Sequence, residues 1–165
     1  MYSFDKFHEL VAQTIDENPF SKSPNELYEP MDYILNIGGK RIRPIIVLLG
    51  TDLFGGDIKK ALKPSLAIEF FHNFSLMHDD IMDNASLRRS KPTVHEKFGI
   101  NTAILSGDAM LIKAYQFLED LEPELFKKTT QLFSKTALEV CEGQQYDVDY
   151  ETKVNVSYED YIKMI

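Results

Sequence analysis

Three aspartates fall within five positions, at Asp79, Asp80 and Asp83, and two adjacent arginines, Arg88 and Arg89, follow in the stretch HDDIMDNASLRR. On an α-helix, at about 100° per residue, His72, Asp79 and Asp83 lie within roughly 40° of one another, with Ser75 and Leu76 beside them, while Asp80 points to the side. Acids at a helix C-terminus oppose the macrodipole by roughly 0.3–1 kcal/mol each. Two carboxylates about 4 Å apart also repel by about 1 kcal/mol in water, and by several times that when partly buried. A hard divalent cation reverses the sign of both effects. Magnesium is typically held by one or two carboxylates together with substrate phosphates and water. The spacing therefore points to metal-assisted chemistry on a phosphorylated ligand. The alternative is a solvated helix end whose acids simply pair with Arg88 and Arg89.

A second cluster, GGKRIRP at residues 38–44, sets Lys40, Arg41 and Arg43 between two glycines and a proline. Successive loop N–H groups beside Lys40 can form an anion-binding concavity. A guanidinium grips phosphate with two parallel bonds, and lysine adds a mobile point charge. Arg43, preceding Pro44, is biased towards extended backbone. His72 adds a further donor from the acidic helix, its alternative being a packed core residue. The bland reading of the turn is a helix C-cap whose cations complement the dipole. Arg88, Arg89 and Lys91 form a second cationic group. A pocket with one metal-binding side and one cationic side would accept two phosphorylated ligands.

The elements that must position these groups read as helices, because apolar residues recur at three and four with Pro and Gly between the runs. SFDKFHELVAQTIDEN is amphipathic and ends near Pro19; ELYEPMDYILNIGGK closes at Gly38 and Gly39; RPIIVLLGTDLFGG opens at Pro44 and closes at Gly55 and Gly56. Further helices span about 64–83, 101–121 and 123–143, and no strand pattern competes with them. The helix over 64–83 is apolar around most of its circumference and hence central. The expected fold is an all-α bundle forming a single helical domain over 1–165, or part of a larger one. Ser157 begins a last helix as N-cap, with Asp160 three residues on, and the pattern stops midway at Ile165.

With 18 Lys and Arg against 26 Asp and Glu, the net charge of -8 disfavours a general nucleic-acid or anionic-membrane binder. Cys141 is the only cysteine, which excludes an intrachain disulfide and makes a reducing, cytoplasmic compartment the default. The longest apolar run, IIVLL at residues 45–49, is far short of a membrane span. No secretory leader or membrane anchor is expected.

In order and spacing, GGKRIRP, HDDIMDNASLRR, GINTAILSGDAML and CEGQQYDVD resemble the trans-isoprenyl diphosphate synthases, or polyprenyl synthetase family, from about Pro30 to Ile165. The resemblance implies a helical bundle around a central cavity, usually a homodimer. It also implies a magnesium-dependent (manganese being possible) head-to-tail condensation of isopentenyl diphosphate with an allylic diphosphate. By motif, Asp79 and Asp83 would bind the metal, with Asp80 the third acid. Lys40, Arg43, His72 and Arg89 would hold isopentenyl diphosphate, and Arg88 the allylic diphosphate. Gln144 and Asp147 would stand at the far wall of the cavity, their alternative being a polar helix end. The family carries a second aspartate-rich motif and a lysine–threonine pair on later helices, and neither occurs in these 165 residues. The resemblance therefore implies the N-terminal part of a larger domain, with half a catalytic site that does not turn over alone.

In the family, bulky residues four and five positions before the first aspartate limit product length. Here these are Ser75 and Phe74, a pattern resembling synthases of twenty-carbon products, with fifteen next. Phe74 sits about 7.5 Å along the axis from Asp79, but the helical wheel turns it away from the carboxylate stripe. Phe70 and Phe71 read as ordinary core. Two further readings stay open: a non-catalytic subunit of a prenyl synthase, and a terpene cyclase. Gly107 and Ala109 would permit close helix approach, either across a dimer or within the subunit.

Overall fold

Ser3 starts the first helix, α1 (Phe4–Asp16), by accepting the Lys6 N–H on its hydroxyl. Phe7 and Val11, one turn apart, then fall on a single buried face with Thr14. The computed structural model describes residues 2–20 and 23–165, in two compact units that meet in sequence between Asp120 and Leu121.

In the first unit, α2 (Asn25–Asn36) and α3 (Ile42–Leu53) flank the Gly38–Gly39 turn. The long α4 (Ile58–Met82) follows. A two-stranded hairpin, β1 (Leu87–Arg88) and β2 (Lys91–Pro92), leads to α5 (Val94–Phe98) and α6 (Ile100–Gln116). The central helix α4 packs against α1, α2, α3, α5 and α6. One core cluster joins Phe7 and Val11 of α1, Ile45 and Leu48 of α3, and Ala61 of α4. Each of the larger ones, Phe7, Val11, Ile45 and Leu48, contributes roughly 1.5–3 kcal/mol.

Several boundaries differ from the sequence expectation. Helix α4 begins six residues before Pro64, because Asp57 caps it by accepting the Lys59 N–H at 2.9 Å. Helix α3 begins two residues before Pro44, which still lies in the first turn, where a missing N–H costs nothing. Arg43 is thus helical rather than extended. The hairpin and α5 were not expected from the pattern. Strand register pairs Leu87 with Pro92 and Arg88 with Lys91, so Arg89 and Ser90 alone form the turn, at φ 51° and 63°. Positive φ at both positions gives the twist a hairpin needs, and it is usually signalled by Asn or Gly. At the base, Thr93 donates its hydroxyl to the Ala85 carbonyl at 2.7 Å.

In the second unit, α7 (Pro123–Tyr150) runs through Gly143 instead of ending there. A Cβ on Gly143 would stand 2.6 Å from the Met164 carbonyl oxygen, so this glycine serves the close approach of α8 (Tyr158–Met164). Ser157 and Asp160 complete a reciprocal capping box, the shorter acid still reaching the Ser157 N–H at 3.2 Å. No helix among the described residues is long and apolar enough to cross a membrane.

Candidate active site

The basic turn is fastened to α4 by a cation that motif reasoning passed over. Arg41 sits in the left-handed region at φ 51°, where a non-glycine residue is uncommon. Its guanidinium donates to the Glu69 carboxylate and to the Leu35 carbonyl. The Arg41 and Glu69 side chains are 8% and 5% exposed. Asn73 donates to the Glu69 carboxylate at 3.0 Å and to the Glu69 carbonyl at 2.7 Å. With Arg41 turned inward, Lys40 and Arg43 remain on the exposed side of the turn. Arg43 Nη1 lies 3.3 Å from His72 Nε2 on the neighbouring helix.

The paired arginines diverge, because one ends a strand and the next enters a tight turn. Arg88 donates Nε and Nη2 to both oxygens of Asp80 at 2.7–3.1 Å. Arg89 swings to the other side, where its guanidinium lies on Gly39: a Cβ there would be 2.6 Å from Arg89 Nη1. Gly39 is also at φ 154°, so both its conformation and its missing side chain are used. Gly39, Lys40, Arg41, Ile42, Arg43, Glu69, His72 and Arg89 line one hollow of about 480 Å³. A larger one of about 640 Å³, beside His95 where α5 meets α6, contains neither cluster.

His72 and Asp79 stand two turns apart on one stripe of α4, about 10.5 Å along the axis. Burial holds the His72 imidazole below its usual pKa, with the Arg43 charge next in effect and Arg89 and Arg88 adding to it. A neutral ring accepts from Arg43 on Nε2. Burial also raises the Asp79 carboxyl, followed by repulsion from Asp83, against which Arg88 works. Asp83 caps α4 and is exposed.

A magnesium ion fits this pair only in part. Asp79 and Asp83 are mutually repelling oxygen donors beside open solvent, the donor set of a site completed by phosphate oxygens and water. Among the described residues no group of three or more His, Cys, Asp or Glu forms a cage of its own. Asp80, expected as the third metal acid, is 2% exposed and has both oxygens engaged by Arg88. Its position to the side of the stripe turns it into the protein. The bland alternative of acid–arginine pairing thus describes Asp80, while Asp79 and Asp83 stay on the stripe.

Of the proposed length-limiting residues, Ser75 donates its hydroxyl to the His72 carbonyl at 2.9 Å. Phe74 packs edge-on against His78, ring centroids 4.7 Å apart, and tilted against Phe71. That face meets α6, where a Cβ on Gly107 would stand 2.4 Å from His78 Nε2. The close approach at Gly107 is therefore one within the subunit. Phe70 is core, at 1% exposure. Gln144 and Asp147 lie on α7 in the second unit, Gln144 half-buried and Asp147 exposed. Sequence reasoning missed Glu69 and Asn73 and gave Arg41 no role apart from the other cations of the turn. The available signal was a glutamate on an apolar helix followed by asparagine at i+4, which in a core requires a cationic partner.

Chemically the hollow suits an anion. Lys40, Arg43 and Arg89 supply positive charge beside the N-terminus of α3. The Polyprenyl synthetase family profile matches residues 24–165. The geranylgeranyl diphosphate synthase of Methanosarcina mazei is 40% identical over 157 residues, 94% of this chain and 48% of that protein. The geranylfarnesyl diphosphate synthase of Natronomonas pharaonis is 34% identical over 95% of this chain and 51% of its own. A crystal structure of a geranylgeranyl pyrophosphate synthase superposes with a TM-score of 0.97 at 47% identity, covering all of this chain and 50% of that one. The chain spans about half the length of the relatives it matches. On the profile match and these identities, the chain belongs to the polyprenyl synthetase family.

Proposed function

We propose that this chain is the N-terminal half of a prenyltransferase that condenses isopentenyl diphosphate head-to-tail with an allylic diphosphate. The observation that carries the reading is the meeting of Arg89 with Gly39. It brings the basic turn, His72 and the loop after the acids around one hollow, two helical turns from Asp79. In this reading Lys40, Arg43, His72 and Arg89 hold the diphosphate of isopentenyl diphosphate. Arg88, oriented by Asp80, directs its remaining N–H groups to the allylic diphosphate. Asp79 and Asp83 would hold magnesium, or manganese in its place, since hard carboxylate and phosphate oxygens suit both. When bound, the metal neutralises charge growing on the leaving diphosphate.

The allylic C–O bond breaks with its electron pair leaving on diphosphate. The double bond of isopentenyl diphosphate then attacks the allylic cation, and a proton is lost. The protein's part is to keep the two diphosphates apart and aligned, which makes the attack effectively unimolecular. Geranylgeranyl diphosphate is the proposed product, farnesyl diphosphate the runner-up, supported by the names of the relatives and by Phe74. A homodimer is also proposed, supported by the exposed Leu105 and Ile112 of α6, as is a cytoplasmic location, supported by the single cysteine.

The test is to incubate the full-length protein carrying this chain with magnesium, isopentenyl diphosphate and farnesyl diphosphate and to analyse the products by mass spectrometry. Geranylgeranyl diphosphate is expected. Absence of any elongated prenyl diphosphate, with dimethylallyl and geranyl diphosphate also tried, overturns the enzyme reading in favour of a non-catalytic subunit.

A further inference from the structure

We propose that Arg41, Glu69 and Asn73 form a buried positioning latch that sets the anion-gripping geometry of the basic turn through their bonds to one another and to Leu35. The inference rests on the proposed function and assigns a role to residues outside the diphosphate-binding set.

The sequence KRIRP offers three cations, and electrostatics alone would aim all of them at an anion. One is withdrawn. Its guanidinium is held at two points, by the Glu69 carboxylate of α4 and by the Leu35 carbonyl at the end of α2. Asn73, 1% exposed, occupies the Glu69 oxygen from the next helical turn, so the carboxylate cannot rotate away. The Arg41 backbone is left-handed, a conformation that is strained for a non-glycine residue and persists only where surrounding contacts over-determine it. The same residue is the N-cap of α3. Fixing Arg41 therefore fixes where α3 begins. It thereby fixes the directions of Lys40 and Arg43 on either side and the 3.3 Å approach of Arg43 to His72. At the far end of the turn, the Arg89 guanidinium lies on Gly39. The turn is held at both ends, and its inner hold is the latch.

A buried ion pair is weak ground for stability, since apolar replacements of similar volume are often neutral or better. That makes the inference testable. In the full-length protein, the double substitution Arg41→Met with Glu69→Leu keeps the volume and leaves no buried lone charge. Arg41→Lys keeps the charge but loses the planar fork that spans Glu69 and Leu35. Both are checked for folding by circular dichroism and for binding of isopentenyl diphosphate by calorimetry. The double variant is expected to raise KM and Kd for isopentenyl diphosphate about tenfold or more, as misplacement of positioning groups does. Its KM for the allylic diphosphate should stay within about twofold. Arg41→Lys should fall in between, a partial rescue that a purely structural role would not produce. If the folded double variant binds isopentenyl diphosphate as the unaltered protein does, the latch is overturned and the proposed function stands. Should the unaltered protein fail to bind isopentenyl diphosphate, the proposed function falls and this inference with it.

Discussion

Asp80 and Asp79 are neighbours in a single acidic motif, yet the structure assigns them opposite energetic roles, and substitution separates the two. The Asp80 side chain is 3% exposed and accepts three contacts from Arg88, which is itself 25% exposed. Arg88→Met leaves a buried carboxylate without its partner, a loss of about 3–5 kcal/mol. Asp80→Ala leaves an arginine that can turn to water, so its cost is smaller, about 1.5–3 kcal/mol. Asp79→Ala removes a carboxyl raised by burial and by Asp83, a repulsion that solvent screens, and is expected to leave stability unchanged or slightly higher. Equilibrium urea unfolding, with and without millimolar Mg²⁺, reads all three. Magnesium should stabilise the unaltered protein and Asp80→Ala, but not Asp79→Ala. An Asp80→Ala variant as stable as its parent, or one that loses the magnesium response while Asp79→Ala retains it, refutes the division of roles.

Gly39→Ala places a methyl 2.6 Å from Arg89 Nη1 at φ 154°; it is expected to cost about 1 kcal/mol of stability and at least tenfold in isopentenyl diphosphate affinity, and unchanged calorimetric affinity would contradict it. Phe74→Ala in the full-length protein should shift products to longer prenyl chains, read by chromatography; an unshifted distribution removes Phe74 as the stop. The folded-state pKa of Asp79 lies above its unfolded value. Ionised Asp79 therefore costs stability at neutral pH, and the cost is relieved as pH falls through that raised pKa. Magnesium binding needs the carboxylate, so it should pull this pKa down and weaken as acid protonates Asp79; carboxyl NMR titration showing no downward shift with Mg²⁺ would argue against contact.

Period and punctuation were enough to read the helical class. Phe7 and Val11 repeat at helical spacing, Ser157 announces an N-terminus, and α4 is apolar enough to be central. Prolines misled where they stood inside a first turn or a helix, as at Pro44 and Pro64, because caps at Arg41 and Asp57 set the true starts. The hairpin escaped because Arg89 and Ser90 carry no turn signature. Their positive φ is held by the surrounding structure rather than by intrinsic preference. The residue types of the site were also legible: acids on one stripe, cations in one turn, arginines after the acids.

Sequence alone determined which charges sit near one another along the chain, since that depends only on local helix geometry. Which of them face each other was decided by tertiary structure. Arg88 and Arg89 part company at a turn, Asp80 is drawn inward, and the Arg41 guanidinium turns to Glu69. The physical reason is that a charge's role depends on its partner and its burial, and both are supplied by elements distant in the chain.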